Sequence, residues 1–274
     1  MSSELVNKYL RDGMMPHIWC PGCGNGIVMH DIITAIDRNE LDPDNVVIVS
    51  GIGFSSRAAG YMNFNTIHTT HGRAIAVATG IKLARPDMKV IVLTGDGDSV
   101  AIGGNHFIHA ARRNIDLTVV VFNNNVYGMT GGQYSPTTPR GEFGTTAPYG
   151  SIDQDFDICK LAIAAGATFV ARGTTYHVAQ TTKLIERGIK HKGLTVVDVV
   201  SQCPTYYGRK NHKGDAVDML KWMKFNSLNY DQAESIVDPE EMKGKIIYGL
   251  LYHNNRPEYC AQYAELVERA KEAK

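Results

Sequence analysis

The chain has 274 residues, enough for one large domain or two small ones around a buried core. Its 28 Lys and Arg balance its 28 Asp and Glu, and 43% of residues are apolar, which excludes a disordered chain and a basic nucleic-acid surface. No apolar run approaches the roughly 20 residues that cross a bilayer, and the opening residues carry no basic segment followed by an apolar core. Neither a membrane span nor a signal peptide is therefore predicted.

Five cysteines, Cys20, Cys23, Cys159, Cys203 and Cys260, are an odd set for a disulfide scaffold, so reduced thiols in the cytoplasm are expected. Cys159 and Cys260 read as ordinary buried apolar side chains. Cys20 and Cys23 sit in a Gly/Pro turn that precedes a helical period at 26–38. A Val/Ile run at 45–50 (NVVIVS) predicts a strand, and Ala, Val and Ile all round the period at 73–84 predict a well-buried helix. Strands follow at 89–94 (KVIVLT), 117–122 (LTVVVF), 168–171 and 194–200 (LTVVDVV), separated by helical periods at 105–113, 157–165 and 177–190. The strands are continuously apolar rather than alternating, as in parallel sheets covered on both faces. The pattern predicts a doubly wound, mostly parallel α/β sheet with helices on both faces over residues 1–202. Residues 125–149, rich in Gly, Pro, Ser and Thr, form a loop long enough to be functional. From Cys203 the sheet pattern stops, and residues 203–274 are expected to be a C-terminal arm over a partner.

The strongest local signal starts at Gly95. The strand at 89–94 ends in Gly95-Asp96-Gly97-Asp98, and the next ends in Asn123-Asn124-Asn125-Val126-Tyr127-Gly128. Neighbouring parallel strands open on one edge, where ligands bind. An Asp and an Asn there can share a hard cation such as Mg²⁺, which favours oxygen ligands and bridges phosphates. The flanking glycines let backbone N–H groups approach a diphosphate. Gly51-Ile52-Gly53 imitates a dinucleotide fingerprint, but Ser56 replaces the third glycine and no Asp or Glu occurs before Asp87. That stretch carries Arg57, His68, His71, Arg73 and Lys82, which suits an anionic ligand. No GxxxxGK[ST] occurs. The CxxC at Cys20 and Cys23 suits a metal, an iron–sulfur cluster or a redox disulfide, and does not choose among them.

The GDG…NN spacing resembles the signature of thiamine-diphosphate enzymes. Over almost its full length the chain resembles β subunits of 2-oxoacid:ferredoxin oxidoreductases, through WCPGCGNG, VSGIGFSSR, THGRAIAVATGIKLARP, the segment from LTGDGDSV to YSPTTP, and SQCPTYYGR. The resemblance implies a thiamine-diphosphate fold with Mg²⁺ held by Asp96, Asn124 and the Val126 carbonyl. It implies that Gly97, Asp98, Gly128, Met129, Ile52, Gly53, Phe54, Ser55 and His71 lie along the cofactor. Arg57 matches a basic residue that receives the substrate carboxylate, and Gly132 and Gln133 shape the pocket. It also implies a [4Fe–4S] cluster with Cys20, Cys23 and Cys203 among its ligands. Phe54 departs from that pattern, because it stands where the fourth cysteine belongs and cannot ligate iron. That leaves a site with a non-cysteine fourth ligand, a three-iron cluster or no cluster.

The implied reaction converts a 2-oxoacid and coenzyme A to an acyl-CoA and CO₂, with electrons leaving through the cluster to ferredoxin. The length and the GRAIAVATGIKLARP, AIGGNHFIHAARRN and QCPTYYGR segments look most like 2-oxoglutarate enzymes, which make succinyl-CoA. Pyruvate and branched-chain types stay open. The glutamate that activates the cofactor comes from a separate α subunit in this family, so the isolated chain is expected to be inactive. The rivals are a non-oxidative thiamine-diphosphate decarboxylase or ligase, which needs no cysteine set, and a binding module with a zinc knuckle at Cys20 and Cys23.

Overall fold

The computed structural model describes residues 3–236 and 239–273. In chain order it begins with α1 (Ser3–Tyr9), α2 (Asn25–Arg38), β1 (Val46–Ser50), α3 (Ala58–Tyr61), β2 (Asn65–His68) and α4 (Ala74–Ala84). Next come β3 (Lys89–Gly95), α5 (Asp96–Val100), α6 (Gly104–Arg113), β4 (Thr118–Asn123) and the two-residue strands β5 (Val126–Tyr127) and β6 (Gln133–Tyr134). The rest is α7 (Ile158–Ala165), β7 (Phe169–Thr174), α8 (Val178–Lys190), β8 (Thr195–Val200), α9 (Ala216–Phe225), β9 (Ser227–Asn229), α10 (Tyr230–Ala233), α11 (Pro239–Met242), β10 (Ile246–His253) and α12 (Tyr259–Glu272).

Among the described residues, eight strands form one sheet in the order β2-β1-β3-β4-β8-β7-β10-β9. Every pairing is parallel except β10 with β7. The continuous apolar runs are explained by cover on both faces. Along β1, Val46 and Ile48 join a core built with Val28, Ile32 and Ile36 of α2 and Leu184 and Ile185 of α8. Val47 and Val49 point the other way, into a core with Ile75 of α4, Phe107 of α6 and Ile158 of α7. Asp157 caps α7 by accepting from the Cys159 and Lys160 amides, and Gly166 ends it in the left-handed conformation (φ 99°). Cys159 and Cys260 are buried as expected. The doubly wound α/β expectation holds.

Three expectations are corrected. The sheet does not stop at Cys203, because β10 pairs antiparallel with β7. Gly249 interrupts its apolar run (IIYGLLYH) at φ 127°, and the register slips between Leu250 and Tyr252. The helix at 74–84 is buried on one side only, since Val77 and Leu83 are exposed. Lys82, read with the cations suited to a ligand, is instead buried, with Nζ 2.8 Å from Asp116 and donating to the Met88 carbonyl. A buried ammonium keeps its charge only beside such partners, so Lys82 belongs to the core. Strand β2 (NTIH) has no apolar run to announce it, because it is a largely exposed edge strand.

Candidate active site and cysteine cavity

The register of β3 against β4 pairs Gly95 with Phe122, so Asp96 and Asn124 leave the sheet from adjacent strand tips. They open into a cleft of about 140 Å³. Ile52, Gly53, Phe54, Ser55, His71, Asp96, Gly97, Asp98, Asn124, Val126, Gly128 and Met129 all line it. The segments after β1, β2, β3 and β4 thus bring every residue expected along the cofactor and cation to one sheet edge. Arg57 is not among the lining residues; it stands at the end of the short turn Ser55–Arg57, beside the cleft.

The Asp96 carboxylate is buried and built into a network. Oδ2 accepts from Ser135 Oγ and Thr137 Oγ1, each at 2.6 Å, and Thr137 Oγ1 also reaches Asn123 Oδ1 at 3.0 Å. Burial pushes the Asp96 carboxyl up to about 6, against the pull of the two hydroxyls. Thr138 Oγ1 donates to the carbonyl of Asn125, which takes the left-handed conformation (φ 59°) that Asn tolerates. The Ser135-Pro136-Thr137-Thr138 segment is therefore what positions the carboxylate. No sequence motif ties these hydroxyls to Asp96. A Ser/Thr cluster inside an otherwise Gly-rich functional loop was the available signal.

Asp98 lines the cleft but spends its oxygens on the protein. Oδ1 accepts from the Gly72 amide at 2.7 Å, lies 3.4 Å from the Ile52 amide and pairs with His71 Nδ1. Oδ2 accepts from Thr94 Oγ1 at 2.8 Å. This pairing fixes the half-exposed His71 ring, which also stands edge-on to Tyr127, 6.1 Å between centroids. Two glycines permit the packing. A Cβ on Gly51 would lie 2.0 Å from an Asp98 oxygen, and a Cβ on Gly97 would lie 2.1 Å from the Tyr127 ring.

A second cavity lies on the far side of Phe54, Asn124 and Gly128, which line both. Cys20, Cys23 and Cys203 face it together with Trp19, Asn25, Pro204, Thr205 and Tyr206. Cys20 and Cys23 are joined by a turn (Cys23 N–H to Cys20 O, 3.0 Å). The Asn25 amide, at the start of α2, points at the Cys23 sulfur. The amides of Thr205, Tyr206 and Tyr207 point at Cys203. Burial pushes the Cys23 thiol up to about 11 and raises Cys203 as well. Among the described residues, no three His, Cys, Asp or Glu side chains are arranged around a single metal ion. A [4Fe–4S] cluster takes its cysteines on separate irons, so these thiols and the amides aimed at them are a donor set that fits one. Phe54 is part of the wall. Its carbonyl accepts from Trp19 Nε1 at 2.8 Å, and its ring stands 3.2 Å from where a Gly128 Cβ would be.

Arg57 has no carboxylate partner among the described residues, and its Nε is buried without a hydrogen-bond partner. The neighbouring cations are engaged otherwise: Arg73 donates to the Ile102 carbonyl, and His68 meets Ser50 Oγ at 2.8 Å. Arg57 is thus a guanidinium next to the cleft-lining Ser55 turn with no anionic partner among the described residues.

Comparison with known proteins agrees with this geometry. The family model described as "Thiamine pyrophosphate enzyme, C-terminal TPP binding domain" matches residues 45–199. The chain is 55% identical over 264 residues to the 2-oxoglutarate synthase subunit KorB of Methanocaldococcus jannaschii, covering 96% of this chain and 97% of that protein. It is 56% identical over 231 residues to the subunit of the same name from Archaeoglobus fulgidus, covering 84% of each. Among solved structures, a 2-oxoglutarate:ferredoxin oxidoreductase from Magnetococcus marinus with 2-oxoglutarate, coenzyme A and succinyl-CoA bound matches with a TM-score of 0.86 at 33% identity, covering 99% of this chain and 92% of that one. The chain belongs to the thiamine pyrophosphate enzymes and, within them, to the β subunits of 2-oxoacid:ferredoxin oxidoreductases of the 2-oxoglutarate type.

Proposed function

We propose that this chain is the thiamine-diphosphate- and Mg²⁺-binding subunit of a ferredoxin-dependent enzyme that converts 2-oxoglutarate and coenzyme A to succinyl-CoA and CO₂. The observation that carries this is the cleft at the tips of β3 and β4, with a three-cysteine cavity directly behind its wall. The relatives named as 2-oxoglutarate synthase subunits support the substrate. The Magnetococcus marinus structure supports coenzyme A as acyl acceptor.

In this reading Asp96, Asn124 and the Val126 carbonyl hold the cation. The Ser135 and Thr137 hydroxyls keep the Asp96 carboxylate aimed and ionised. Gly97 lets the backbone approach the diphosphate, and Gly128, Met129, Ile52, Gly53, Phe54 and Ser55 form the bed around the rest of the cofactor. When bound, thiamine diphosphate supplies a thiazolium that accepts the electron pair left by CO₂. His71, oriented by Asp98, presents a ring nitrogen to the cleft. Arg57 grips a substrate carboxylate, a bidentate role suited to an unpaired guanidinium. Cys20, Cys23 and Cys203 would hold an iron–sulfur cluster, which when bound would supply an electron exit toward ferredoxin, and Phe54 offers it no fourth cysteine.

An obligate α subunit completes the site, and the exposed faces of residues 203–274 outside strand β10, which belongs to this chain's own sheet, are the part we assign to covering it. No described helix is long and apolar enough to cross a membrane. All five cysteines are free thiols, which suits the cytoplasm. The test is anaerobic purification of the chain with and without its α subunit, with iron, sulfide and thiamine diphosphate quantified. The complex is expected to reduce ferredoxin in the presence of 2-oxoglutarate and coenzyme A, and the chain alone to be inactive. Oxidation of 2-oxoglutarate by the chain alone, or a complex that turns over pyruvate in preference, overturns the reading.

A further inference from the structure

We propose that the Asn25 carboxamide donates an N–H···S hydrogen bond to the cluster held by Cys20, Cys23 and Cys203, and thereby raises the potential at which that cluster accepts an electron. The inference rests on the reading that the cavity holds a cluster, and it assigns a role to a residue that neither binds iron nor touches the thiamine cleft.

Asn25 is 1% exposed, and neither Oδ1 nor Nδ2 has a hydrogen-bond partner. An unmet buried polar group costs about 1–3 kcal/mol, and native proteins leave few of them. The nearby Gln202, equally buried, is the contrast. Its Oε1 accepts from Thr175 Oγ1 at 2.6 Å and its Nε2 donates to the Gly22 carbonyl at 3.0 Å. An amide here that is meant to be met by protein is met by protein.

Because Asn25 is buried within the single chain, a partner subunit cannot reach its amide. The group that satisfies it must lie in the cavity that Asn25 lines. That cavity is walled by three thiols, and the backbone N–H of Asn25 already points at one of them, the Cys23 sulfur. Asn25 follows Cys23 by two residues at the start of α2 and lines the same cavity, so its Nδ2 is the second donor this residue can offer there. Phe54, which lines the same cavity, brings neither charge nor side-chain donor. Hydrogen bonds to cluster sulfur stabilise the more negative, reduced state, and they are among the factors that set such potentials.

The experiment uses the assembled complex with its α subunit. Asn25→Leu removes the donor while keeping the branched four-atom skeleton, and Asn25→Gln keeps a donor on a longer arm. The cluster potential is measured by redox titration followed by electron paramagnetic resonance, beside iron and sulfide content. The expected result is full iron content in Asn25→Leu with a more negative midpoint, and a midpoint near wild type in Asn25→Gln. An Asn25→Leu protein with full iron and an unchanged midpoint overturns the proposal, since the amide is then met by water alone. If Asn25→Leu fails to load iron, Asn25→Gln decides: loading with a near-wild-type midpoint supports the donor role, and failure to load overturns it in favour of a packing role. A wild-type complex without iron and sulfide is a different outcome. It removes the cluster itself and is recognised before any variant is made.

Discussion

The thiamine cleft and the cysteine cavity share the wall of Phe54, Asn124 and Gly128, yet they are finished differently. On the cleft side the two key carboxylates are already held by protein donors, Asp96 by Ser135 and Thr137 and Asp98 by Gly72 and Thr94. On the cavity side, backbone amides are aimed at sulfur, and the Asn25 carboxamide that lines the cavity has no protein partner. A cation-and-diphosphate site can be preorganised by the chain alone, because its ligands are oxygens that hydroxyl and amide donors can hold in place. A cluster site gathers thiols whose burial penalises the thiolate, so its donors are completed by the inorganic core.

The contrast predicts separable losses. The largest is expected for Asp96→Ala, which should weaken Mg²⁺-dependent thiamine-diphosphate binding by at least the ~100-fold that loss of an outer-shell partner can reach. Calorimetric titration of cofactor checks this. Iron content should stay at wild type, and loss of iron in the same variant would merge the two sites into one folding unit. Arg57→Ala should raise the KM for 2-oxoglutarate roughly 10- to 100-fold, the range of a charge-assisted bond worth about 1.5–3 kcal/mol. Steady-state kinetics and cofactor titration together check that thiamine-diphosphate affinity is unchanged.

Thr137→Val removes one of the two hydroxyls on Asp96 and should cost roughly 10-fold in cofactor affinity, the low end for an outer-shell partner. The cation needs the ionised carboxylate, so wild-type affinity should fall as pH drops through about 6. Without a hydroxyl that pulls the carboxyl down, the fall should begin at higher pH. Titrations from pH 5 to 8 read the displacement, and coincident curves would show that Ser135 alone suffices.

The smallest effect concerns Asp31, on the same helix as Asn25 but turned into the packing against α8. Its Oδ1 accepts from Thr182 at 2.9 Å and its Oδ2 has no partner. Burial raises it from 3.8 to about 7. The folded chain therefore binds the proton more tightly than the unfolded one. Stability should be greatest below pH 4 as far as this group contributes, decline as pH rises through 7, and level off above. Asp31→Asn should flatten that slope and gain about 1 kcal/mol at pH 8, a typical single-substitution effect. Urea midpoints at pH 5 and pH 8 measure it.

The helices at 25–38, 104–113 and 178–190 and the strands at 46–50, 89–95 and 118–123 were legible within a few residues. Double-sided burial writes an unbroken Val/Ile run, and one-sided burial writes a 3.6 period. Strand β10 was not legible, because Gly249 and a bulge break its pattern. The cation ligands were legible because Gly-Asp-Gly and Asn-Asn-Asn fall at the ends of consecutive strands. The hydroxyls behind Asp96 were not, since Ser135 and Thr137 lie 39 and 41 residues from it in the chain.

Local chemistry is therefore written in the order of residues: which strands are buried, where the turn glycines fall, which cysteines sit in turns, and that Phe54 replaces a thiol. Partnership is not. That Lys82 belongs to Asp116, that His71 is held by Asp98, that Arg57 is left unpaired and that Asn25 shares a cavity with three cysteines all depend on distances across the sheet edge. Such distances arise only when elements far apart in the chain pack together, because a hydrogen bond or ion pair forms at about 3 Å in space whatever the separation in sequence.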